Sequence, residues 1–261
     1  MPVRESYAHG TPSWIDLSTT DVEGAQEFYG PLLGWSFETN PTPEGGKYTM
    51  ASLKNKSAAG MMQQAEEQAQ MGIPPMWNTY ITVDDLDQAV AKTTEAGGSV
   101  MMPPMEVMDS GRMAVITDAT GAVVCLWQAN NHIGSEIVNE PGALTWNELI
   151  TDDVDSAKSF YNSVFGLGAT EQDMGEGNIY TTLMQGDDMV AGVMLPPMDG
   201  LPNHWSVYFA VADVDETVAK ATELGGTVLG PVMDIPDIGR MAVLQDPQGA
   251  TFNAMQAAPQ G

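Results

Sequence analysis

Two hydrophobic patterns alternate along the chain. Short apolar runs with a period of two are typical of strands, and they are followed by segments with helical spacing. The first helical segment places its apolar residues three and four positions apart: Val22, Ala25, Phe28, Tyr29 and Leu32. This spacing predicts a helix with one buried face.

An aspartate stands where each of four helical segments begins: Asp21, Asp85, Asp153 and Asp213. An aspartate in this place predicts an N-cap, because its side chain can accept a free backbone N–H of the first turn. Two of the segments stop at Gly97-Gly98 and Gly225-Gly226. Glycine readily takes the left-handed conformation that ends a helix.

The sequence repeats within itself. Residues 77–128 align without gaps to residues 205–256, with 25 identities in 52 positions. Residues 14–34 resemble residues 146–166 at an offset of 132, including Trp, Asp-Val and Phe-Tyr. The chain is therefore a tandem duplication, and its repeat is the first guide to the fold.

Each half contains two similar units. After Gly97-Gly98 come strand-like runs at Ser99–Met102, Gly111–Thr117 and Ala122–Gln128, with a tight turn predicted at Asp118–Gly121. The same turn is expected at Asp246–Gly249. The unit is a βαβββ module present four times, which predicts an α+β fold.

A length of 261 residues fits about two domains. We expect a first domain over residues 1–130, with modules at about 11–70 and 75–129, and a second over 143–261, with modules at about 143–198 and 203–257. Residues 131–142 lack a hydrophobic period and contain Asn, Gly, Ser and Pro, so they are the expected linker.

The charge is strongly negative. Thirty-five acidic residues against nine basic ones give a formal charge of −26, which argues against nucleic acid or an anionic membrane as a partner. An acidic coat that favours solubility is the simplest interpretation, and a basic protein partner is the alternative. No apolar run reaches the ~18 residues of a membrane span, and the first ten residues lack an apolar signal segment. Cys125 is the only cysteine, so we expect a cytoplasmic protein without disulfides.

The order of a strand, an Asp-capped helix with Phe28-Tyr29, and a final D-x-x-G strand resembles the vicinal-oxygen-chelate superfamily of glyoxalases, bleomycin-resistance proteins and dioxygenases. The resemblance covers roughly residues 11–129 and 143–257. It extends to two-domain actinobacterial members related to a mycobacterial culture-filtrate antigen. It implies two glyoxalase-like domains, each a curved antiparallel-sheet cup built from two modules. Consecutive modules are the default pairing, and an exchanged pairing stays open.

Metal-using members of that superfamily take His and Glu ligands from the first and last strands. Counting from the capping and turn aspartates, the matching positions here are Trp14, Asn78, Cys125, Trp146, Ser206 and Asn253. None is His or Glu, and a divalent ion needs three or four converging ligands. His204 is two residues early. We therefore expect no metal and no cofactor.

Aromatic and amphipathic residues occupy the cup-facing positions instead. Strand parity gives Trp14, Asn78, Tyr80, Cys125 and Trp127 as ligand-binding candidates in the first half, and Trp146, His204, Ser206, Tyr208, Asn253 and Met255 in the second. Apolar walls with a few polar groups are typical of a small-molecule pocket. The alternative is that these side chains fill a collapsed core.

Asp16 and Glu148 share strand parity with Trp14 and Trp146, which makes them the catalytic candidates. Burial would raise the pKa of either carboxyl and suit it to acid–base chemistry. It could instead accept a hydrogen bond from Tyr80 or a Trp indole, bind a cationic or hydroxyl-bearing ligand, or lie in solvent at a strand end.

Arg112 and Arg240 occur in a repeated G-R-M-A-V motif. Either could clamp a substrate carboxylate. A structural ion pair with a turn aspartate is the simpler expectation, and the sequence offers Asp109 and Asp118 as partners.

Four functions follow. The first is a protein, monomeric or homodimeric, that binds a small organic molecule in a metal-free aromatic cup, which requires a ligand-sized cavity. The second is a metal-independent isomerase, lyase or hydrolase that uses Asp16 or Glu148. The third, a metal-dependent lyase or dioxygenase, lacks recognisable ligands. The fourth is a protein-interaction module with degenerate cups.

Overall fold

The computed structural model describes residues 3–43, 45–175 and 179–259, so residues 1–2 and 260–261 of the two expected domains lie outside the described residues. The first half contains β1 (Pro12–Thr19), α1 (Val22–Leu33), β2 (Ser36–Pro41), β3 (Lys47–Leu53), β4 (Lys56–Gln63), α2 (Glu66–Gln70), β5 (Met76–Thr82), α3 (Leu86–Glu95), β6 (Ser99–Val107), β7 (Gly111–Thr117) and β8 (Val123–Ala129). The second half contains β9 (Leu144–Ile150), α4 (Val154–Phe165), β10 (Gly168–Asp173), β11 (Ile179–Gln185), β12 (Asp188–Met194), β13 (His204–Ala210), α5 (Val214–Glu223), β14 (Thr227–Val228), β15 (Met233–Ile235), β16 (Gly239–Gln245) and β17 (Thr251–Ala257).

Each half forms one sheet from two consecutive modules. The first sheet has the order β2-β3-β4-β1-β5-β8-β7-β6, and the second has the order β10-β11-β12-β9-β13-β17-β16-β14, with β15 also paired to β16. The two modules of a sheet meet where β1 runs antiparallel to β5, and β9 to β13. In both sheets the last strand of a module lies parallel to its first strand. The α+β fold of four modules is confirmed.

The four aspartates cap their helices as expected. Asp21, Asp85, Asp153 and Asp213 each accept the backbone N–H of the residue three positions later. Such a cap contributes about 1 kcal/mol. Gly97 and Gly225 follow α3 and α5 with φ of +91° and +88°, which confirms that glycine ends these helices.

Each of the four long helices packs against a helix from the other half of the chain. One buried core joins Phe28 and Tyr29 of the first module to Phe209 and Phe252 of the fourth. A second core joins the second and third modules, among them Leu86 and the following buried residues: Ile116, Phe160, Tyr161 and Trp205. Helix α1 contacts α5, and α3 contacts α4. Sheets are thus formed within halves, whereas the helix-side cores are shared between halves.

A buried hydrogen-bond network accounts for the Phe-Tyr and D-x-x-G motifs. The Tyr161 hydroxyl donates to Asp118 Oδ2 over 2.9 Å and accepts from Trp205 Nε1 over 2.9 Å. In the other core, the Tyr29 hydroxyl donates to Asp246 Oδ2 over 3.1 Å and accepts from Trp77 Nε1 over 3.0 Å. Each network takes its tyrosine and its aspartate from different halves, so the motifs hold the two halves together.

The expected linker packs against the first sheet. Ser135 is buried, and its hydroxyl donates to the carbonyl of Ala58 over 2.8 Å. Ile137 and Val138 are also buried. The segment is therefore a packed part of the fold between the two sheets.

The repeated arginines form ion pairs, but with other partners than expected. Arg112 binds Asp87 of α3 at 2.9 and 3.2 Å and lies 3.0 Å from Glu106, its cross-strand neighbour. The expectation of Asp109 or Asp118 was wrong, because the β6–β7 register and the first turn of α3 bring these other carboxylates closer. Asp118 is instead held by its own turn and by a tyrosine.

Among the described residues, no helix combines the length and the apolar character that a membrane span requires.

Candidate functional site

Each sheet carries a cluster of side chains on the face opposite its helix-side core. We call the first cluster cup one: Trp14, Asp16, Tyr48, Asn78, Tyr80, Cys125 and Trp127. Cup two is the equivalent cluster: Trp146, Glu148, Tyr180, Ser206, Tyr208, Asn253 and Met255. Strand parity explains the arrangement, since Trp14 and Asp16 alternate with Ile15 and Leu17 of the helix-side core.

Asp16 lies at the centre of cup one and is only 1% exposed. Its Oδ2 accepts the hydroxyls of Tyr80 and Tyr48 at 2.7 and 3.1 Å. Its Oδ1 accepts the amide of Asn78 at 2.9 Å, directly across the β1–β5 pairing. Trp14 Nε1 donates to Tyr48 over 3.0 Å and so fixes the phenol. Three donors therefore surround this carboxyl group.

Glu148 has the same place in cup two and is 3% exposed. Tyr180 donates to its Oε1 over 2.7 Å, and Tyr208 donates to its Oε2. Trp146 Nε1 donates to Tyr180 over 2.9 Å. The two cups thus share one motif, in which a buried carboxyl group accepts two tyrosine hydroxyls and one of the tyrosines is held by a tryptophan.

Burial dominates the protonation of both carboxyl groups. Burial raises the pKa of Asp16 and of Glu148, and the tyrosine hydrogen bonds oppose this shift only in part. Neither carboxyl forms an ion pair with a basic side chain in the described part of the chain. Each can donate a proton when neutral and accept one when ionised, which is the chemistry that a general acid–base requires.

Tyr48 and Tyr180 are cup residues that were absent from the candidates predicted from the sequence. A signal was available, because Tyr48-Thr49 recurs as Tyr180-Thr181 at the same offset of 132 as the tryptophans. Both tyrosines come from a strand two places away from the carboxylate strand. Their reach to the carboxyl group could not be predicted without the strand order.

Glycine makes this reach possible. Gly60 and Gly192 lie directly beside Asp16 and Glu148 in the strand register. A Cβ atom at Gly60 would stand 1.9 Å from the Tyr48 hydroxyl oxygen, and one at Gly192 would stand 2.1 Å from that of Tyr180. Any larger residue would displace the phenol from its carboxyl partner.

The two cups differ in how they are covered. In cup one, Trp14 and Trp127 are 4% and 5% exposed. The His132 ring stands perpendicular to that of Trp14 at a centroid distance of 4.5 Å, and the His132 carbonyl accepts Trp127 Nε1 over 2.8 Å. Burial lowers the pKa of His132. The sequence reasoning placed this histidine in the linker and gave it no role.

Cup two has a more accessible rim. Trp146 and Met255 are partly exposed, whereas their counterparts Trp14 and Trp127 are buried; Tyr180 and Ser206 are partly exposed in the same way as Tyr48 and Asn78 of cup one. Met255 replaces the buried Trp127 of cup one. Two surface concavities in the described ranges lie elsewhere, one between α3 and α4 and the other beside β15 and β16. Neither of these two concavities is the ligand-sized cavity that binding in a cup requires. The described side chains largely fill both cups, so a ligand of cup two would need the side chains at its rim to move.

The remaining candidates are distributed as follows. Cys125 is buried in cup one next to Tyr80 in the β5–β8 register, and burial raises the pKa of its thiol. Asn253 Nδ2 donates to Ser206 Oγ over 2.7 Å. His204 stands at the start of β13 opposite Ile150, and its Nδ1 lies 2.8 Å from the Pro202 carbonyl. The structure therefore does not bring His204 to Glu148.

The comparisons with known proteins agree with this architecture. The model of the Glyoxalase/Bleomycin resistance protein/Dioxygenase superfamily matches residues 11–126 and 136–254, and the chain belongs to this family. It is 51% identical over its full length, and that of the relative, to "Putative glyoxylase CFP32" of Mycobacterium tuberculosis (strain CDC 1551 / Oshkosh). It is 36% identical to the anthracycline biosynthesis protein DnrV of Streptomyces peucetius, over 96% of this chain and 94% of that protein.

Solved structures show the same fold. The 2,3-dioxygenase LapB from Pseudomonas sp. KL28 matches with a TM-score of 0.66 at 14% identity, over 96% of this chain and 93% of that one. The Mn(II)-bound glyoxalase from Novosphingobium aromaticivorans matches with a TM-score of 0.63 at 12% identity, over 95% and 82% of the two chains. At these identities the likeness concerns the fold alone.

The family implies a divalent metal in some members, and the donor set of the cups does not fit one. In cup one, Asp16 is the only carboxylate, and both of its oxygens already accept hydrogen bonds from Tyr48, Tyr80 and the Asn78 amide. Within residues 3–43, 45–175 and 179–259, no three His, Cys, Asp or Glu side chains gather as metal ligands would.

Proposed function

We propose that this protein binds a small organic molecule without a metal ion, and that cup two is the site that receives it. The observation that carries the proposal is the partial exposure of Trp146 and Met255, whose counterparts in cup one are buried, beside the buried, hydrogen-bonded Glu148. Apolar and aromatic walls give affinity in such pockets, while one or two fixed polar groups orient the ligand.

The rim can adapt to a ligand. Methionine has three rotatable bonds and commonly lines adaptable binding surfaces. Met255 stands where cup one has Trp127, against which the His132 ring packs. Movement of Met255 would uncover the aromatic wall, whereas cup one would have to move two large rings.

The named relatives are consistent with such a ligand. DnrV is named for anthracycline biosynthesis, and anthracyclines are polycyclic aromatic small molecules. A ligand of aromatic character suits walls made by Trp146 and Tyr208, since aromatic rings stack or meet edge to face with favourable geometry.

Native mass spectrometry of protein purified without chelators or added metal tests the proposal. We expect an organic adduct and no stoichiometric divalent ion. Gly192→Ala should deplete the adduct because it displaces Tyr180 from Glu148, whereas the matched control Gly60→Ala alters only cup one. A divalent ion bound to each chain, or an adduct retained by Gly192→Ala and lost from Gly60→Ala, would contradict the proposal.

A second candidate is a metal-independent acid–base enzyme. The raised pKa of Glu148, held between two phenols, supports it. The name of the mycobacterial relative also points to catalysis. Once the bound molecule is identified, its conversion by wild-type protein is compared with that by the Asp16→Asn/Glu148→Gln variant. Undiminished turnover in the double variant would rule this candidate out.

A further inference from the structure

The two cups differ by one hydrogen-bond donor at the carboxyl group. Asp16 accepts from Tyr48, Tyr80 and Asn78. Glu148 accepts only from Tyr180 and Tyr208 among the described residues. The missing donor is that of Asn78, so cup one satisfies its own carboxylate more completely than cup two does.

Ser206 takes the place of Asn78 in cup two. It lies directly opposite Glu148 in the β9–β13 register, as Asn78 lies opposite Asp16. Its hydroxyl accepts a hydrogen bond from Asn253 Nδ2 over 2.7 Å, and among the described residues no hydrogen bond joins it to Glu148. Because serine is shorter than asparagine, no side-chain donor among the described residues takes at Glu148 the place that Asn78 takes at Asp16.

Charge and aromatic character define which group of a ligand fits this place. Glu148 has no basic partner in the described ranges, and its neighbours Trp146, Tyr180 and Tyr208 present aromatic rings. A carboxylate combined with aromatic faces attracts organic cations. The net charge of −26 adds a field that concentrates cations at the surface.

We propose that cup two binds a protonated amine attached to an aromatic body, with the ammonium N–H donating to Glu148 in the position that Asn78 fills in cup one. This inference rests on the proposed function, because it names the ligand class of the same site. The bound cation also compensates the charge of Glu148, which the fold leaves without a counterion.

The chain supplies its own matched variants. Ser206→Asn places the cup-one donor beside Glu148 and should exclude the ligand amine, while Glu148→Gln removes the charge that attracts it. Asn78→Ser makes the reverse change in cup one and leaves cup two as it is. Far-UV circular dichroism and the unfolding midpoint establish that each variant is folded.

Isothermal titration calorimetry at neutral pH with 2-phenylethylamine and 2-phenylethanol separates charge from shape, because the two probes share ring and linker. We expect the amine to bind at least ~10-fold more tightly than the alcohol, in line with a hydrogen bond to a charged group. Ser206→Asn should weaken the binding of the amine by ~10-fold or more, and Glu148→Gln should abolish the preference for the amine over the alcohol. Asn78→Ser should change neither the affinity for the amine nor this preference.

Each outcome decides between the two proposals. If the alcohol binds as tightly as the amine and Glu148→Gln leaves both unchanged, the ligand class is wrong, and the Gly192→Ala adduct measurement decides separately whether cup two binds a ligand. If Asn78→Ser weakens the amine and Ser206→Asn does not, the site is cup one and the inference is overturned. If neither probe gives saturable heat with wild-type protein, the amine inference fails; the presence or absence of an organic adduct in native mass spectrometry judges the proposed function separately.

Discussion

Replacing Tyr161 by phenylalanine tests whether the buried network between the halves stabilises the protein. The Tyr161 hydroxyl is the only described hydrogen-bond partner of Trp205 Nε1 and of Asp118 Oδ2. The phenyl ring keeps the packing of Tyr161 in its core, where the side chain is fully buried. The substitution therefore removes hydrogen bonding with little change in packing.

The size of the effect follows from what is left unpaired. Each buried polar group without a partner costs about 1–3 kcal/mol. The cost for Asp118 lies at the lower end of this range, because its Oδ1 still accepts two N–H groups and one hydroxyl from its own turn. We expect Tyr161→Phe to lower the free energy of unfolding by about 2–4 kcal/mol. For 261 residues this corresponds to a fall in Tm of roughly 4–7 °C.

Urea unfolding followed by tryptophan fluorescence and circular dichroism measures this loss. Tyr29→Phe should give a similar value, because its partners Trp77 and Asp246 repeat the arrangement. Tyr7→Phe is the control, since that hydroxyl donates to a single carbonyl, that of Ser135, and should cost only about 1 kcal/mol. A loss at Tyr161 no larger than that at Tyr7 would refute the reasoning.

Three further predictions concern charge and the shared cores. Burial raises the pKa of Glu148, so its contribution to stability is present below the ordinary value of 4.5 and is lost as pH rises through the raised value. In urea titrations, Glu148→Gln should therefore reduce the decline of the unfolding free energy as pH rises from 4.5 through the raised value, and an unchanged decline would contradict this. Residues 1–130 expressed alone should show no cooperative unfolding by circular dichroism, and adding residues 131–261 should restore it. The reason is that each helix-side core is built from residues of both halves. Cooperative unfolding of the isolated half would count against shared cores. Arg112→Ala should change the free energy of unfolding by less than ~1 kcal/mol, because its ion pairs are exposed, and a larger loss would indicate a further role.

Local patterns and the internal repeat predicted the elements well. Asp21 and Asp153 cap helices because the preference of an N-cap depends on a few neighbouring residues. The strand-like run Gly111–Thr117 coincides with β7 because its alternation reflects one buried face. Parity along β1 and β5 was also enough to place Asp16 and Tyr80 on one face, where they form a hydrogen bond.

Long-range arrangements were not predictable in the same way. The contact of Tyr48 with Asp16 depends on β4 lying between their strands and on Gly60 leaving room. His132 reaches Trp14 only because the linker packs back on the first sheet. The exchange of helices between halves has no local signal, since the apolar face of α1 is equally suited to either partner.

The contrast between the shared cores and the separate cups explains where the two copies differ. The helix-side networks use identical residues in both copies: Tyr29 and Tyr161, Trp77 and Trp205, Asp118 and Asp246. A change on that side affects both halves, because each network takes its tyrosine and its aspartate from different halves. Each cup, in contrast, is completed within one sheet, and there the copies differ: Asp16 and Glu148, Asn78 and Ser206, Cys125 and Asn253, Trp127 and Met255. The residues of one cup can therefore change independently of those of the other, with no change to the cores that hold the halves together.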